Sequence, residues 1–483
     1  MKRFFCLFLT FLLFALIFTG CNSNNSEDES YHEDTEINTT AESTTAHVTA
    51  VPDGYIGIYT VDDFDYLRNS STGQYILMND IDMTDTKKWD GINFQGTFDG
   101  NNYEIKNYHF NNGFFDTTID ATISNLTITA NIKKTTYERE DGSWTNGVGV
   151  LANSITTYNS KTSTSSITNC KIKGEIHNTG SYIFGAVAGT VSPGYTTATV
   201  TMSNIVNEAK IICEGVCYES IGGIVGKVWQ QNSSDEEFPA FELTNAVNRG
   251  DITIKCKNAD SQGTRIGGII GLGYGNIQSC DNYGKIEIDC PVAEDDKDKE
   301  DAECRSNVIC GGIVGSNGKY KKGYSGIYCS YGCMVSITSC ANYGSITSAN
   351  CEYAGGIIGY TVMSYDLSDC GNFSSISGVN AGGIQSAGCY FATLNNCINV
   401  GTIDGTKKRG AIICDFVANS PEPQNCYYLN NGVNCVGVKA AFPNVYSIEE
   451  NQLKDSSAIN LGEKWTTNSN GPVLNSTVKN SKL

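Results

Sequence analysis

The chain predicts an all-β solenoid with short helical caps, and three observations carry that expectation. Two phrases recur through the middle of the sequence. One is Ser/Asn-Cys-x-Asn-x-Gly-x-Ile, as in Ser279-Cys280-Asp281-Asn282-Tyr283-Gly284-Lys285-Ile286 and Ser339-Cys340-Ala341-Asn342-Tyr343-Gly344-Ser345-Ile346; the other is Gly-Gly-Ile-Ile/Val-Gly, as in Gly267–Gly271 and Gly311–Gly315. The phrase cysteines Cys340, Cys370, Cys397 and Cys426 lie 30, 27 and 29 residues apart, shorter than a helix-pair repeat and close to one turn of a β-solenoid. The apolar runs within a unit, Ser375-Ile376-Ser377, Gly382-Gly383-Ile384 and Thr393-Leu394-Asn395, are strand-sized and bounded by Gly, Asn or Ser, which predicts three short strands per coil.

Column by column, the repeats behave as stacked coils. Leu126, Cys170, Ile205, Ala246, Cys280, Cys340, Cys370, Cys397 and Cys426 share one position. Cysteine exchanging with Leu, Ile and Ala marks a small buried apolar slot. Two residues on stand Asn207, Asn248, Asn282, Asn342, Asn372 and Asn399, read as left-handed turn residues whose amides bond their copies above and below. The glycines after them, Gly250, Gly284, Gly344 and Gly401, are read as sites of positive φ, with Ser374 breaking the column. Tyr283, Tyr343 and Phe373 fall between Asn and Gly. With the cysteine inward they face outward as a stacked aromatic platform for a ligand, or as a stabilising ladder; Arg249 and Val400 interrupt the row.

The ends differ from the middle. Residues 1–20 carry Met1-Lys2-Arg3, an apolar run from Phe4 to Phe18 and small residues before Cys21, the pattern of a secretory signal. The Gly20-Cys21 junction resembles a bacterial lipobox, which implies lipidation of Cys21 and a membrane anchor, although Phe18 stands where Leu is usual. Residues 21–50 are Ser, Thr, Asn and acid, too poor in apolar groups to fold, and read as a tether reaching on the order of 30 Å. Residues 51–120 form an N-terminal cap with first coils. Thr60-Val61-Asp62-Asp63 opens a helix there, along which Val61, Phe64 and Leu67 recur. Repeats occupy 121–435, interrupted at about 289–309 and 317–334, and 436–483 cap the far end, with Ser447-Ile448-Glu449-Glu450 as a capping box before Trp465 and Pro472-Val473-Leu474.

Charge and cysteine usage bound the partners. With 33 basic and 52 acidic residues the net charge is −19, which disfavours nucleic acid. Twenty cysteines in an exported chain suggest disulfides. The column argues against them for its own members and leaves loop cysteines such as Cys213 with Cys217, or Cys329 with Cys333, as better candidates. Those pairs have metal-compatible spacing but no histidine beside them. No cofactor is expected.

Candidate chemistry is sparse. The four histidines are His32, His47, His109 and His177; there is no His-Glu-x-x-His, Gly-x-Ser-x-Gly or P-loop. Sugar cleavage needs paired carboxylates, for which Asp366 with Asp369, or Asp251 with Asp281, are the candidates. The first insertion carries Asp295, Asp296 and Asp298, a weak Ca²⁺ site lacking EF-hand order. The second carries Tyr320 and Tyr324 among lysines. Such loops either recognise a ligand or pair with each other by charge.

Tyr75–Asp82, Phe94–Ile105, the Gly-Gly-Ile-Val-Gly cores and Asn425-Cys426-Tyr427-Tyr428-Leu429 together resemble bacterial GLUG-repeat surface proteins from about Tyr55 to Leu474. That resemblance implies a right-handed parallel β-helix on a cell surface, in adhesin-like proteins or beside the protease part of some immunoglobulin A1 peptidases. It implies no catalytic residue. The expectation is a surface-anchored module binding an extracellular glycan or protein, with a polysaccharide-processing enzyme or a structural spacer as alternatives.

Overall fold

Alternating side chains in short parallel strands send one set inward and one outward, and here the inward sets stack into one continuous core. The computed structural model describes residues 47–483 apart from 136–146, 159–161, 195–197, 216–217, 230–239, 256–262, 292–307, 319–333, 363–364, 389–391, 417–420, 438–441 and 456. The described chain winds as an all-β parallel β-helix. One coil runs Tyr365–Ser368, Gly371–Asn372, Ile376–Gly382 and Gln385–Gly388. The next lies on it in parallel register, pairing Leu367 with Leu394, Asn372 with Asn399 and Ile376 with Ile403. The coil thus has four strand segments rather than three, because Gly382-Gly383-Ile384 forms a corner between two strands instead of a strand of its own.

The cysteine slot is as expected: Cys170, Cys280, Cys340, Cys370, Cys397 and Cys426 are buried free thiols. The bonds between stacked asparagines are as expected, but neither the asparagine nor the glycine column supplies the positive φ. Positive φ falls on the residue before the cysteine, at Asn169, Asn204, Asn245, Ser279, Ser339, Asp369 and Asn396. The Asn column instead sits at strand ends and forms a fully buried ladder. Asn207 donates to Asn248, Asn248 to Asn282, Asn282 to Asn342, Asn342 to Asn372 and Asn372 to Asn399 at 2.7–2.8 Å. Each amide also donates to the carbonyl two residues on, including Ser374 at 2.9 Å, so the turn without glycine keeps the same bond.

The glycines are there for close approach. A Cβ at Gly344 would lie 1.9 Å from the Gly284 carbonyl oxygen of the preceding coil, and at Gly401 1.8 Å from that of Ser374. Across the interior, a Cβ at Gly312 would meet the Gly356 oxygen at 2.1 Å and Asn342 Cγ at 2.4 Å; Gly268 meets Asn282 and Gly356 meets Asn372 in the same way. The two repeated phrases therefore pack against each other, asparagine against glycine, coil after coil.

The first coils are built differently. Phe64, Tyr75, Phe94, Phe98, Tyr108, Phe114 and Phe115 are all fully buried, with Trp89 stacked on Phe114 at 4.8 Å and its Nε1 donating to the Phe114 carbonyl. The front helix forms as a turn at Val61–Phe64 running into α1, Asp65–Asn69, and Asp63 accepts bonds from the Thr60 backbone and hydroxyl. The chain engages these coils before residue 51: the His47 ring stacks on Tyr103 at 4.1 Å, and Val48 N–H donates to Asn101 at 2.7 Å.

At the far end the capping box begins two residues later than expected. Ser447 and Ile448 belong to strand Val445–Ile448, and Glu449 N–H donates to the Gln452 side-chain oxygen at 2.8 Å. Beyond it lie an antiparallel hairpin, Trp465–Asn468 with Gly471–Leu474, and α2, Asn475–Asn480.

Candidate functional site

The aromatic row stacks but is not an open platform. Tyr283 and Tyr343 lie 4.9 Å apart at 9°, and Tyr343 and Phe373 4.9 Å apart at 10°, one ring per coil. Facing outward does not leave them exposed, because the C-terminal segment folds back over them. Trp465 packs beside Phe373 at 6.4 Å, and burial pushes the Tyr283 hydroxyl up to about 12 and that of Tyr343 higher still. The interrupting residues join the covering: Arg249 donates to the Asn480 carbonyl at 3.3 Å, and Val400 packs in the apolar cluster that holds Phe373 and Trp465. The stabilising-ladder reading of these rings is what the geometry favours.

The candidate carboxylates are each committed locally. Asp251 caps Lys285 N–H at 2.8 Å, Asp366 accepts from the Thr393 hydroxyl, and Asp369 accepts from Asn396 at 3.2 Å. Asp281 is buried beneath α2, accepting from Thr477 at 2.9 Å and Asn480 at 2.7 Å. Among the described residues no three of His, Cys, Asp and Glu gather as a metal site.

One face was not anticipated. Where the strand before the left-handed turn runs over successive coils, its outward positions form two parallel rows. The first is Thr97, Thr122, Ser166, Thr201, Glu242, Asn276, Ser336, Asp366 and Thr393; the second is Asp99, Ser124, Thr168, Ser203, Thr244, Gln278, Thr338, Ser368 and Asn395. Strand geometry sets the rows roughly 7 Å apart and the coils about 4.8 Å apart. Beside them runs a third row on the turn itself, where Asn169 donates to Asn125, Asn204 to Asn169 and Asn245 to Asn204 at 2.9–3.1 Å. The two strand rows hold three acids, Asp99, Glu242 and Asp366, the turn row adds Asp369, and the other groups of the strand rows are neutral hydrogen-bonding side chains with no cation and no aromatic ring. The alternation that revealed the strands contained these rows; Ser and Thr in strands read as ordinary outward residues.

The other expected residues fall in different places. Cys213 is no loop cysteine: it lies in strand Lys210–Glu214 as a buried free thiol, with burial pushing it up to about 12. Cys290, after strand Ile286–Asp289, is disulfide-bonded. Cys21, Cys217, Cys329 and Cys333, the acidic-loop residues Asp295, Asp296 and Asp298, and Tyr320 and Tyr324 all lie outside the described residues. No described helix is long and apolar enough to cross a membrane.

No family model and no curated protein matches the chain. Among solved structures it is similar to a protein assigned only provisionally as an immunoglobulin A1 protease from Bacteroides ovatus, with 14% identity, TM-score 0.37 and coverage of 87% of this chain and 92% of that one. A second similar structure is named IgA1 protease, at 10% identity and TM-score 0.35, with 85% of this chain covering 24% of that one. The chain thus spans about a quarter of the second protein's length.

Proposed function

We propose that this chain is an extracellular, surface-held β-helix that binds a neutral glycan or a polar protein surface and performs no chemistry on it. The observation that carries the reading is the long polar face, mostly neutral and without a cation in its two strand rows. A lattice of hydroxyl and carboxamide groups repeating at coil spacing suits a partner that is itself rich in hydroxyls, and each buried hydrogen bond adds only about 1 kcal/mol, so length is what yields affinity. The disulfide at Cys290 supports an oxidising compartment, in keeping with the export implied by the signal pattern of residues 1–20 and the lipidation of Cys21 implied by the lipobox-like junction.

The test is binding of the folded region, from Thr45 onward, to arrayed glycans and matrix proteins with and without Ca²⁺. A specific hit is expected, weakened at least tenfold by Thr201→Lys with Thr338→Lys, which place cations in the middle of both rows. Binding untouched by these changes would move the site to the insertions around Asp296 and Tyr320. Cleavage of an arrayed polysaccharide would overturn the non-catalytic reading, and no binding at all would leave the structural spacer.

A further inference from the structure

In the coils around it the column that holds Asp281 is apolar or small, with Val206, Val247, Ala341, Gly371 and Ile398, and polar groups return only further out, at Lys171 and Tyr427. A carboxyl group buried there is costly unless it is matched. The match comes from about 200 residues away. Thr477 and Asn480 of α2 both donate to it, Asn480 also donates to the Ser279 carbonyl at 2.8 Å, and Ser476 donates to that of Ser339 at 3.1 Å. Arg249 and Lys171 hold the Asn480 and Leu483 carbonyls from the solenoid side.

The covering segment is not woven into the solenoid. Its hairpin pairs only with itself, outside both parallel sheets, and its upper surface is exposed along Thr466–Asn468 and at Val478. Lifting it breaks side-chain bonds to the solenoid and no backbone pairing of the parallel sheets.

We propose that Trp465 to Leu483 form a detachable strap that opens and closes as a unit over the Tyr283–Tyr343–Phe373 stack, and that proton uptake by Asp281 holds it shut. This stands apart from the glycan reading, since the strap's bonds go to Asp281 and to the turn carbonyls of Ser279 and Ser339, at the edge of that face and beside its two strand rows. Burial dominates the environment of Asp281 and raises its carboxyl to about 6, against hydrogen bonds from Asn480 and Thr477 and the charge of Arg249, which favour the ionised form. The other titratable groups facing it are Cys280, Tyr283 and Tyr343; the strap itself brings only uncharged groups to the carboxyl, its Lys479 and Lys482 being exposed.

Opening returns the carboxyl to water and to its ordinary 3.8. Closure is therefore fully favoured below about pH 4 and loses that contribution as pH rises through about 6, a change of about a hundredfold in the closing equilibrium. The released strip, three stacked rings beside a carboxylate, would take an apolar or aromatic group carrying a hydrogen-bond donor.

The experiment is segment-resolved hydrogen exchange on the whole chain between pH 4.5 and 7.5, corrected for intrinsic rates, comparing 465–483 with the underlying coil at 276–289. The strap is expected to exchange independently of the coil, with protection falling about 25-fold across that range. Asp281→Asn, a neutral stand-in for the protonated acid, should flatten the dependence. Asn480→Ala, which alters only the strap, should lower its protection about tenfold and leave the coil unchanged. Strap and coil exchanging in one event, or strap protection that is flat or rises with pH, would overturn the proposal.

Discussion

The first coils and the middle coils solve the same problem with different materials. Between Ile56 and Ile119 the interior is filled with rings: Phe64, Trp89, Phe94, Phe98, Phe114 and Phe115 touch one another at 4.8–6.5 Å. From Ile205 to Cys426 it is filled mainly with Ile, Val, Leu, Cys and Ala and with scattered rings such as Tyr218, Phe241 and Tyr365, crossed by the asparagine ladder and sealed by glycines that admit no Cβ. Register slips occur in both regions, between Ile92 and Asn93 and between Ile105 and Tyr108 in the first coils and between Val308 and Ile309 and between Gly378 and Asn380 in the middle ones, but none falls on the asparagine column. Where the ladder runs from Asn207 to Asn399, each asparagine pairs directly with the next. Hydrophobic burial closes a coil, but it takes directional bonds and forbidden volume to make every coil alike.

Substitutions in the two regions should therefore fail differently, and Trp89 and Trp465 report on opposite ends. The largest effect is expected from Gly312→Ala. Its new methyl meets a backbone oxygen at 2.1 Å and the Asn342 side chain at 2.4 Å, neither of which can retreat without breaking neighbouring bonds, so a loss above about 4 kcal/mol is expected. In urea the Trp465 transition should collapse while that of Trp89 shifts less, because coils couple through their neighbours. Equal collapse of both signals would mean that the two regions fold as one block.

Phe114→Ala comes next, at about 3–5 kcal/mol for a fully buried ring. Here the order reverses: the Trp89 transition, whose ring stacks on Phe114, should move to lower urea and that of Trp465 should hold. A Trp465 shift as large as that of Trp89 would contradict the comparison.

Much of this fold was legible because its columns are physical. The cysteine slot showed itself through exchange with Leu, Ile and Ala, and the corner glycines through repetition. Their reasons were harder to see. Asn and Gly in a loop-like phrase suggest positive φ, yet Asn282 and Gly284 serve a ladder and a close approach, while the left-handed residue is the unremarkable Ser279. The site was less legible still. Tyr283, Tyr343 and Phe373 were correctly stacked, but nothing local to them announces a strap that begins at Trp465. Asp281 stood out only once its column was known to be apolar, and Thr477 and Asn480 carry no motif. Contacts spanning some 200 residues leave no periodic trace.

The smallest expected effect tests the slot itself. Cys340 is buried, its S–H donates to the Thr338 carbonyl at 3.3 Å, and burial pushes its thiol well above the ordinary range. If the position is simply a compact apolar site, Cys340→Ala removes one sulfur's worth of contact, about 1 kcal/mol, far less than Gly312→Ala a short distance away. The same reasoning makes the thiol inert, since the reactive thiolate is disfavoured in an apolar slot. Cys340 should resist iodoacetamide at pH 8 in the folded chain and react once urea unfolds it, as mapped by peptide mass spectrometry. Ready labelling of the folded protein, or an alanine variant as damaged as the glycine one, would mean that sulfur chemistry rather than volume explains why cysteine recurs down this column.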